Sequence, residues 1–294
     1  MTDFETASGS YAPPAELPYR LPWRSISLRP GAHRGKHEGA GGYFRDFAPL
    51  LARPDPRRID LRVSARDPFE GLHVRRFEQK SAVSVYVLLD VSASMGFAGN
   101  TDKMQLAAAL VSALSAATRR SGDAFGLIGC NEQIEPTLQF PASRSAAREA
   151  EMRQRVAGFV PRGRGIAGFQ AVAPFLAGRR KLIFVVSDFH AALEDIEASF
   201  AALSEHDIVP IILHDTLELE HLPRWGILSL TDLELGRRRL VVMRPTTRDA
   251  WRKESERRRA ELFSLAARYG REPFEVKDRI DWDRLGSYLV GGGG

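Results

Sequence analysis

The chain has 294 residues, 44% of them hydrophobic and 27% charged, with a formal net charge of +5. That is enough material for one substantial core and a smaller appended unit; no apolar run approaches a membrane span, and a single cysteine, Cys130, excludes an internal disulfide. The positive charge is spread among acids, without zinc-finger spacing, an RNP-type aromatic pattern or a basic block, so it is read as solvated, ion-paired faces rather than a nucleic-acid surface.

Residues 1–30 are rich in proline and weakly patterned, which predicts a flexible arm. Their early acids and the lack of an apolar h-region argue against a secretory signal and for a cytoplasmic location. Gly31 to Phe47, GAHRGKHEGAGGYFRDF, is expected to be a structured loop. Its glycines oppose the helix that would align His33 and His37 for metal binding beside Glu38.

Pro54 to Glu78, PDPRRIDLRVSARDPFEGLHVRRFE, alternates arginines with acids and serines. Such a run forms ion pairs within an N-terminal β element, or else displays Arg57, Arg66 and Arg75 to a partner. The segment resembles the region preceding the A-like domain in domain-of-unknown-function family 58, bacterial proteins commonly encoded beside MoxR-type AAA ATPases. The resemblance rests on Arg57, Ile59, Asp60, Ser64, Ala65, Arg66, Val74, Arg75 and Phe77, with Gly42 and Phe44 upstream. Departures are Arg53, Pro54 and Asp55 for a Gly-Asp-Asp turn, Leu61 for a tryptophan, and Gln79 for an acid.

Ser84 to Met95, SVYVLLDVSASM, is the stretch around which the chain is organised. Val83, Val85, Val87, Leu88 and Leu89 form an apolar run, as in a parallel strand covered on both faces. Ligands of open α/β sheets bind at the carboxyl ends of such strands, where Asp90, Ser92 and Ser94 fall. A carboxylate and two hydroxyls suit a hard cation such as Mg2+, and an open coordination position would attract a partner's carboxylate. These residues match the D-x-S-x-S pattern of the von Willebrand factor A domain, whose metal-ion-dependent adhesion site (MIDAS) also takes an aspartate and a threonine from two further loops. Asp188, closing the apolar run of KLIFVVSDFH, is the aspartate that this resemblance implies. The threonine is missing, because PRGRGIAGFQAVAPFL (Pro161 to Leu176) has neither Thr nor Ser near Ile166 or Ala167. Without a metal, Asp90 and its serines serve as a helix cap.

Helix spacing then marks Asp102 to Arg120, with Gly122 as its stop. Phe125 to Cys130 is a strand, with Cys130 a buried, inert thiol, and Gln133 to Phe140 its continuation or hairpin. Ser143 to Phe159 is an amphipathic helix, Ala171 to Leu176 a short one, Lys181 to Ser187 a strand, Leu193 to Ser204 a helix and Ile208 to Leu213 another buried strand. His214 and Asp215 are read as a surface turn. Gly226 to Asp232 and Arg239 to Met243 look like edge strands. Thr246 and Asp249 form a capping box for a helix to about Tyr269, with exposed pairs Asp249 to Lys253 and Glu254 to Arg258 and a stripe of Trp251, Leu262, Leu265 and Ala266. EPFEVKDRIDWDRL adds a last strand and short helix.

The expected fold class is α/β: a doubly wound, mostly parallel sheet, von Willebrand factor A-like and Rossmann-type, with an N-terminal β-rich extension and a C-terminal helix. The expected division is a flexible arm (1–30), a family-specific N-terminal region (31–82), the A-like domain (83–243), a helical extension (244–290) and a disordered tail (291–294). No G-x-S-x-G elbow or Walker loop is present, and Ser92 stands where a haloacid-dehalogenase phosphatase has its second acid, so no catalysis is expected. The resemblance implies a non-enzymatic adaptor that binds a protein client through the loop face of Asp90, Ser92, Ser94 and Asp188. It would work with a MoxR-type ATPase in assembling other proteins, metalloenzymes such as methanol dehydrogenase among them. The alternatives are a metal-dependent hydrolase using Asp90 and a structural protein with a degenerate metal site.

Overall fold

The structure, a computed structural model, describes residues 14, 16–25, 31–38, 42–97, 99–219, 223, 225–231 and 238–291. Most of the expected N-terminal arm, and residues 292–294 of the tail, lie outside them. The chain divides into two units, residues 21–83 with 121–123, and residues 1–20, 84–120 and 124–294.

The smaller unit contains β1 (His33–Glu38), β2 (Gly42–Pro49), a one-turn helix α1 (Leu61–Ser64) and β3 (His73–Ser81). They form an antiparallel sheet in the order β1-β3-β2. Gly31 to Phe47, expected as a loop, is therefore largely strand. Its glycines argue correctly against helix, but the pairing partner is β3, far along the chain, which no local pattern reports. His33 is buried, with Nε2 2.6 Å from Asp123 Oδ2. Of the three arginines singled out, Arg75 pairs with buried Asp60 at 2.5 Å, and Asp60 also caps α1 through the N–H groups of Arg62 and Val63. Arg57 and Arg66 are exposed.

The larger unit runs β4 (Ser84–Asp90), α2 (Lys103–Arg120), β5 (Ala124–Cys130), β6 (Ile134–Ser143), α3 (Ala146–Ala157), α4 (Gly168–Ala171), β7 (Leu182–Ser187), α5 (Leu193–Ala202), β8 (Asp207–His214), α6 (Thr216–Leu219), β9 (Gly226–Thr231), β10 (Arg238–Met243), α7 (Pro245–Arg268), β11 (Phe274–Lys277) and α8 (Trp282–Gly291). Six of its strands form one sheet in the order β11-β8-β7-β4-β5-β6, parallel throughout except for the β5 and β6 pair. Numbered by their own succession these strands read 3-2-1-4-5-6, the doubly wound order whose ligand crevice lies where the winding reverses. Here that point is the pair β4 and β7.

Centrality follows from composition. Tyr86 and Leu88 of β4 join a buried cluster with Ile128, Ile183, Val185 and Ile212 under Phe169, Ile196, Phe200, Leu262 and Leu265. The alternate residues Val85, Val87 and Leu89 face the other way and are equally buried, as a strand covered on both faces requires. Cys130 is fully buried, and burial pushes its thiol far above the ordinary range.

Several local expectations are corrected. β9 and β10 form a separate antiparallel ribbon, and the sheet edge is instead β11, from the segment beyond residue 243. The short helix expected at Ala171 to Leu176 is split into α4 and a 3-10 turn, Ala173–Leu176, begun by its proline. The Thr246 and Asp249 capping box is not used, because α7 opens with Pro245 in its first turn and Arg244 as an N-cap without a side-chain bond. Proline's fixed φ and missing N–H suit that start. Glu254 pairs with Arg257 at 2.5 Å, not with Arg258, which turns inward to the carbonyls of Phe189 and Ala191. Trp251 is 37% exposed and stands apart from the buried stripe of Leu262, Leu265 and Ala266. Asp215 is no surface turn: it is buried and accepts the N–H groups of Gly99 and Thr101 at 3.0 Å and of Leu217 at 2.8 Å.

Gly168 opens α4 where the backbone passes close to the β5–β6 turn. A Cβ there would lie 2.6 Å from the Gln133 carbonyl oxygen. Gly168→Ala is therefore expected to cost about 1–3 kcal/mol, the usual range for overpacking against atoms that cannot rotate away, measured by chemical denaturation.

Candidate functional site

The four residues singled out by the sequence converge at the carboxyl ends of β4 and β7. Asp90 is buried, its Oδ1 accepting the Ser92 N–H at 2.8 Å and its Oδ2 accepting the Ser187 hydroxyl at 2.5 Å. Ser92 and Ser94 lie with hydroxyl oxygens 3.1 Å apart, and Ser94 donates to Asp188 Oδ1 at 3.2 Å. The chain reverses immediately after Asp188, with Phe189 at φ +54, so that the His190 N–H returns to Asp188 Oδ1 at 3.2 Å. A left-handed conformation is unusual for an aromatic residue, and it is held here by burial of the ring and by the Phe189 N–H donated to Ser187 Oγ at 2.8 Å.

A fifth residue fills the centre. Lys103, the first residue of α2, is 0% exposed. Its ammonium donates to Asp188 Oδ2 at 2.9 Å, to Glu218 Oε1 of α6 at 2.6 Å and to the Ser94 carbonyl at 3.3 Å. Three acceptors match the three protons of an ammonium group. Glu218 Oε2 lies 3.4 Å from His190 Nε2, and Asp188, His190 and Glu218 bring ligand-type atoms within 4.8 Å of one another.

The titration behaviour follows from this packing. Burial, with the Asp188 charge added, pushes the Asp90 carboxyl up to about 7, against the bonds from Ser187 and Ser92. For Asp188 burial acts in the same direction, but the positive charges of His190 and Lys103 outweigh it and hold the carboxyl below its ordinary range. Burial would lower Lys103, and partial desolvation would lower His190, whose side chain is 41% exposed, and the neighbouring carboxylates raise both. Glu218 is lowered, because His190 and Lys103 outweigh its burial.

The oxygens of Asp90, Ser92, Ser94 and Asp188 suit Mg2+ chemically. Their surroundings do not fit it as arranged. Asp188 Oδ2 carries the Lys103 ammonium and both Asp90 oxygens are hydrogen-bonded. The loop after α3 has Ile166, a buried core residue, and Ala167 in the stretch where the resemblance implies a hydroxyl. That loop meets the motif through backbone bonds, Arg162 N–H to the Val91 carbonyl at 2.9 Å and Ala93 N–H to the Gly163 carbonyl at 3.2 Å. The sequence reading missed Lys103, Ser187, His190 and Glu218. One signal was available: a lysine opening a helix faces the positive end of the helix dipole, so it needs carboxylates close by.

The DUF58 family, described as "Protein of unknown function DUF58", matches residues 54–261. The chain belongs to the DUF58 family. The match bears out the resemblance read from the N-terminal segment and spans α1 to most of α7, so every residue of the site lies inside the DUF58 region, whereas β11 and α8 lie beyond it. A Paracoccus denitrificans relative, "Uncharacterized protein in moxR 3'region", is 31% identical over 101 residues, which are 34% of this chain and 96% of the relative. Similar solved structures include BatB from Bacteroides thetaiotaomicron, at 13% identity over 71% of this chain and 96% of that one, with a TM-score of 0.42. Another is an aerotolerance-related membrane protein from Bacteroides fragilis, at 15% identity over the same shares, with a TM-score of 0.44. The architecture of this DUF58 chain rests on its own strand order. Among the described residues no helix is long and apolar enough to cross a membrane.

Proposed function

We propose that this chain is a non-enzymatic adaptor, built on a von Willebrand factor A-like domain, that works beside a MoxR-type AAA ATPase. It binds a protein client through the loop face of β4 and β7, and the ATPase supplies the work of assembly. The client class implied is an enzyme under maturation, metalloenzymes such as methanol dehydrogenase included. The observation that carries the reading is the moxR-region relative, matched over nearly its whole length. The position of the D-x-S-x-S residues at the switch point of a 3-2-1-4-5-6 sheet supports the A-like assignment. The hydroxyls of Ser92 and Ser94 bond to each other and to a carboxylate, and the His190 ring faces Glu218 rather than either serine. Ser92 meets the Ser94 hydroxyl, and the base beside Ser94 is Asp188, a carboxylate held below its ordinary range by His190 and Lys103 and so a weak activator of a nucleophile. Asp90, buried and bonded at both oxygens, is equally unsuited to attack.

The test is binding of the purified chain to the MoxR-type ATPase of the same genome, with and without ATP, by biolayer interferometry. Saturable, ATP-sensitive binding is expected. His190 and Arg162 expose 41% and 68% of their side chains on the loop face, so His190→Ala with Arg162→Ala is expected to weaken capture of the client about tenfold, a loss of about 1.4 kcal/mol. Arg148→Ala, exposed on α3, should leave it unchanged. No association with the ATPase would overturn the reading, and an unaffected double variant would move the client surface elsewhere.

A further inference from the structure

We infer that Lys103 is a tethered cation standing in for a divalent ion, so that this site is closed and recruits no partner carboxylate through a metal. The inference rests on geometry and is independent of the adaptor reading. The ammonium lies among the oxygens that the motif brings together, on Asp188 Oδ2 and on the carbonyl of Ser94 itself. It is 0% exposed, and Glu218 from α6 completes its third bond at 2.6 Å. A divalent ion placed on Ser92, Ser94 and Asp188 would sit against that ammonium in a buried setting, where like charges are weakly screened.

Two further features agree. The loop after α3 meets the motif through backbone bonds, Arg162 N–H to the Val91 carbonyl and Ala93 N–H to the Gly163 carbonyl, and carries no Ser or Thr to replace the missing ligand. Lysine is also unfavourable where it stands: the first residue of a helix meets the positive end of the macrodipole, and full burial desolvates its charge. Asp188 and Glu218 offset both costs, and neither acid belongs to the D-x-S-x-S stretch: Asp188 follows β7 and Glu218 lies in α6. A metal leaves a coordination position open to a partner, whereas an ammonium with all three protons bonded leaves none. A partner therefore meets the exposed rim, His190 and Arg162, rather than a Lewis acid.

The experiment has two arms. In the first, Mg2+ and Mn2+ are titrated calorimetrically into the wild-type chain and into Lys103→Met. The wild type is expected to show no saturable site at millimolar ion. The methionine variant should gain one, seen also as a rise in melting temperature of about 5 °C in millimolar Mg2+ that Ser94→Ala removes. In the second, amine acetylation of the wild-type chain is mapped by mass spectrometry with and without Mg2+, and Lys103 is expected to stay unmodified in both. A saturable wild-type site abolished by Asp90→Ala would overturn the inference, as would Lys103 becoming reactive when Mg2+ is added. A folded Lys103→Met that gains no ion binding would overturn it as well. Should that variant not fold, acetylation of the wild-type chain decides alone.

Discussion

Lys103→Met is expected to destabilise the larger unit by about 3–5 kcal/mol, the range found when one partner of a buried ion pair is removed and the other charge is left uncompensated. The methionine keeps the length and apolar stem of lysine, so the loss reports charge rather than a cavity. It leaves Asp188, with 1% of its side chain exposed, and Glu218, with 13%, sharing only the His190 ring as a counter-charge. Adding Asp188→Asn and Glu218→Gln should recover at least half of the loss, because neutral amides need no counter-charge. Urea denaturation of the three chains measures this directly. A cost below about 1 kcal/mol for Lys103→Met, as for a surface pair, would show that the ammonium is solvated and that the closed network does not form.

The same residue shows where legibility in the sequence ends. The apolar run of β4 and the acid ending each central strand are short-range signals, and they placed Asp90, Ser92, Ser94 and Asp188 together correctly. The α/β class with a mostly parallel sheet was equally readable, since alternating strand and helix patterns leave few arrangements, whereas the strand order was not. Lys103 carried no such mark. It looked like one more polar residue at a helix start, and its burial depends on α6, which lies 115 positions along the chain at Glu218. Asp215 was misread for a related reason: its partners are the N–H groups of Gly99 and Thr101, visible only once β8 lies beside the start of α2. In the smaller unit, β1 and β2 were obscured because glycine content is local whereas strand pairing is not. The missing hydroxyl at Ile166 and Ala167 was legible, but its meaning was not until the ammonium was seen among the remaining ligands.

Asp90→Asn is expected to stabilise the protein at pH 8 by about 2–4 kcal/mol and to have almost no effect at pH 4. The folded carboxyl holds its proton up to about 7, whereas the unfolded one releases it near 3.8. Between those values the folded state binds more protons than the unfolded state, so wild-type stability falls as pH rises. The contribution of the protonated group is fully present below the unfolded pKa and is lost as pH passes through the folded one. A shift of that size corresponds to about 4 kcal/mol at most. Asparagine is isosteric and neutral, and its carbonyl can still accept the Ser92 N–H. Its amide must donate to Ser187 Oγ where the carboxylate accepted, and turning that hydroxyl consumes part of the gain. Denaturation midpoints of both chains from pH 4 to pH 8 should therefore diverge steadily, the variant above the wild type. Parallel curves would mean that Asp90 is ionised throughout, with a positive charge closer to it than any the structure places there. A bound divalent ion would be the first candidate, and so this pH series checks the tethered-lysine inference by a route that needs neither added metal nor a partner.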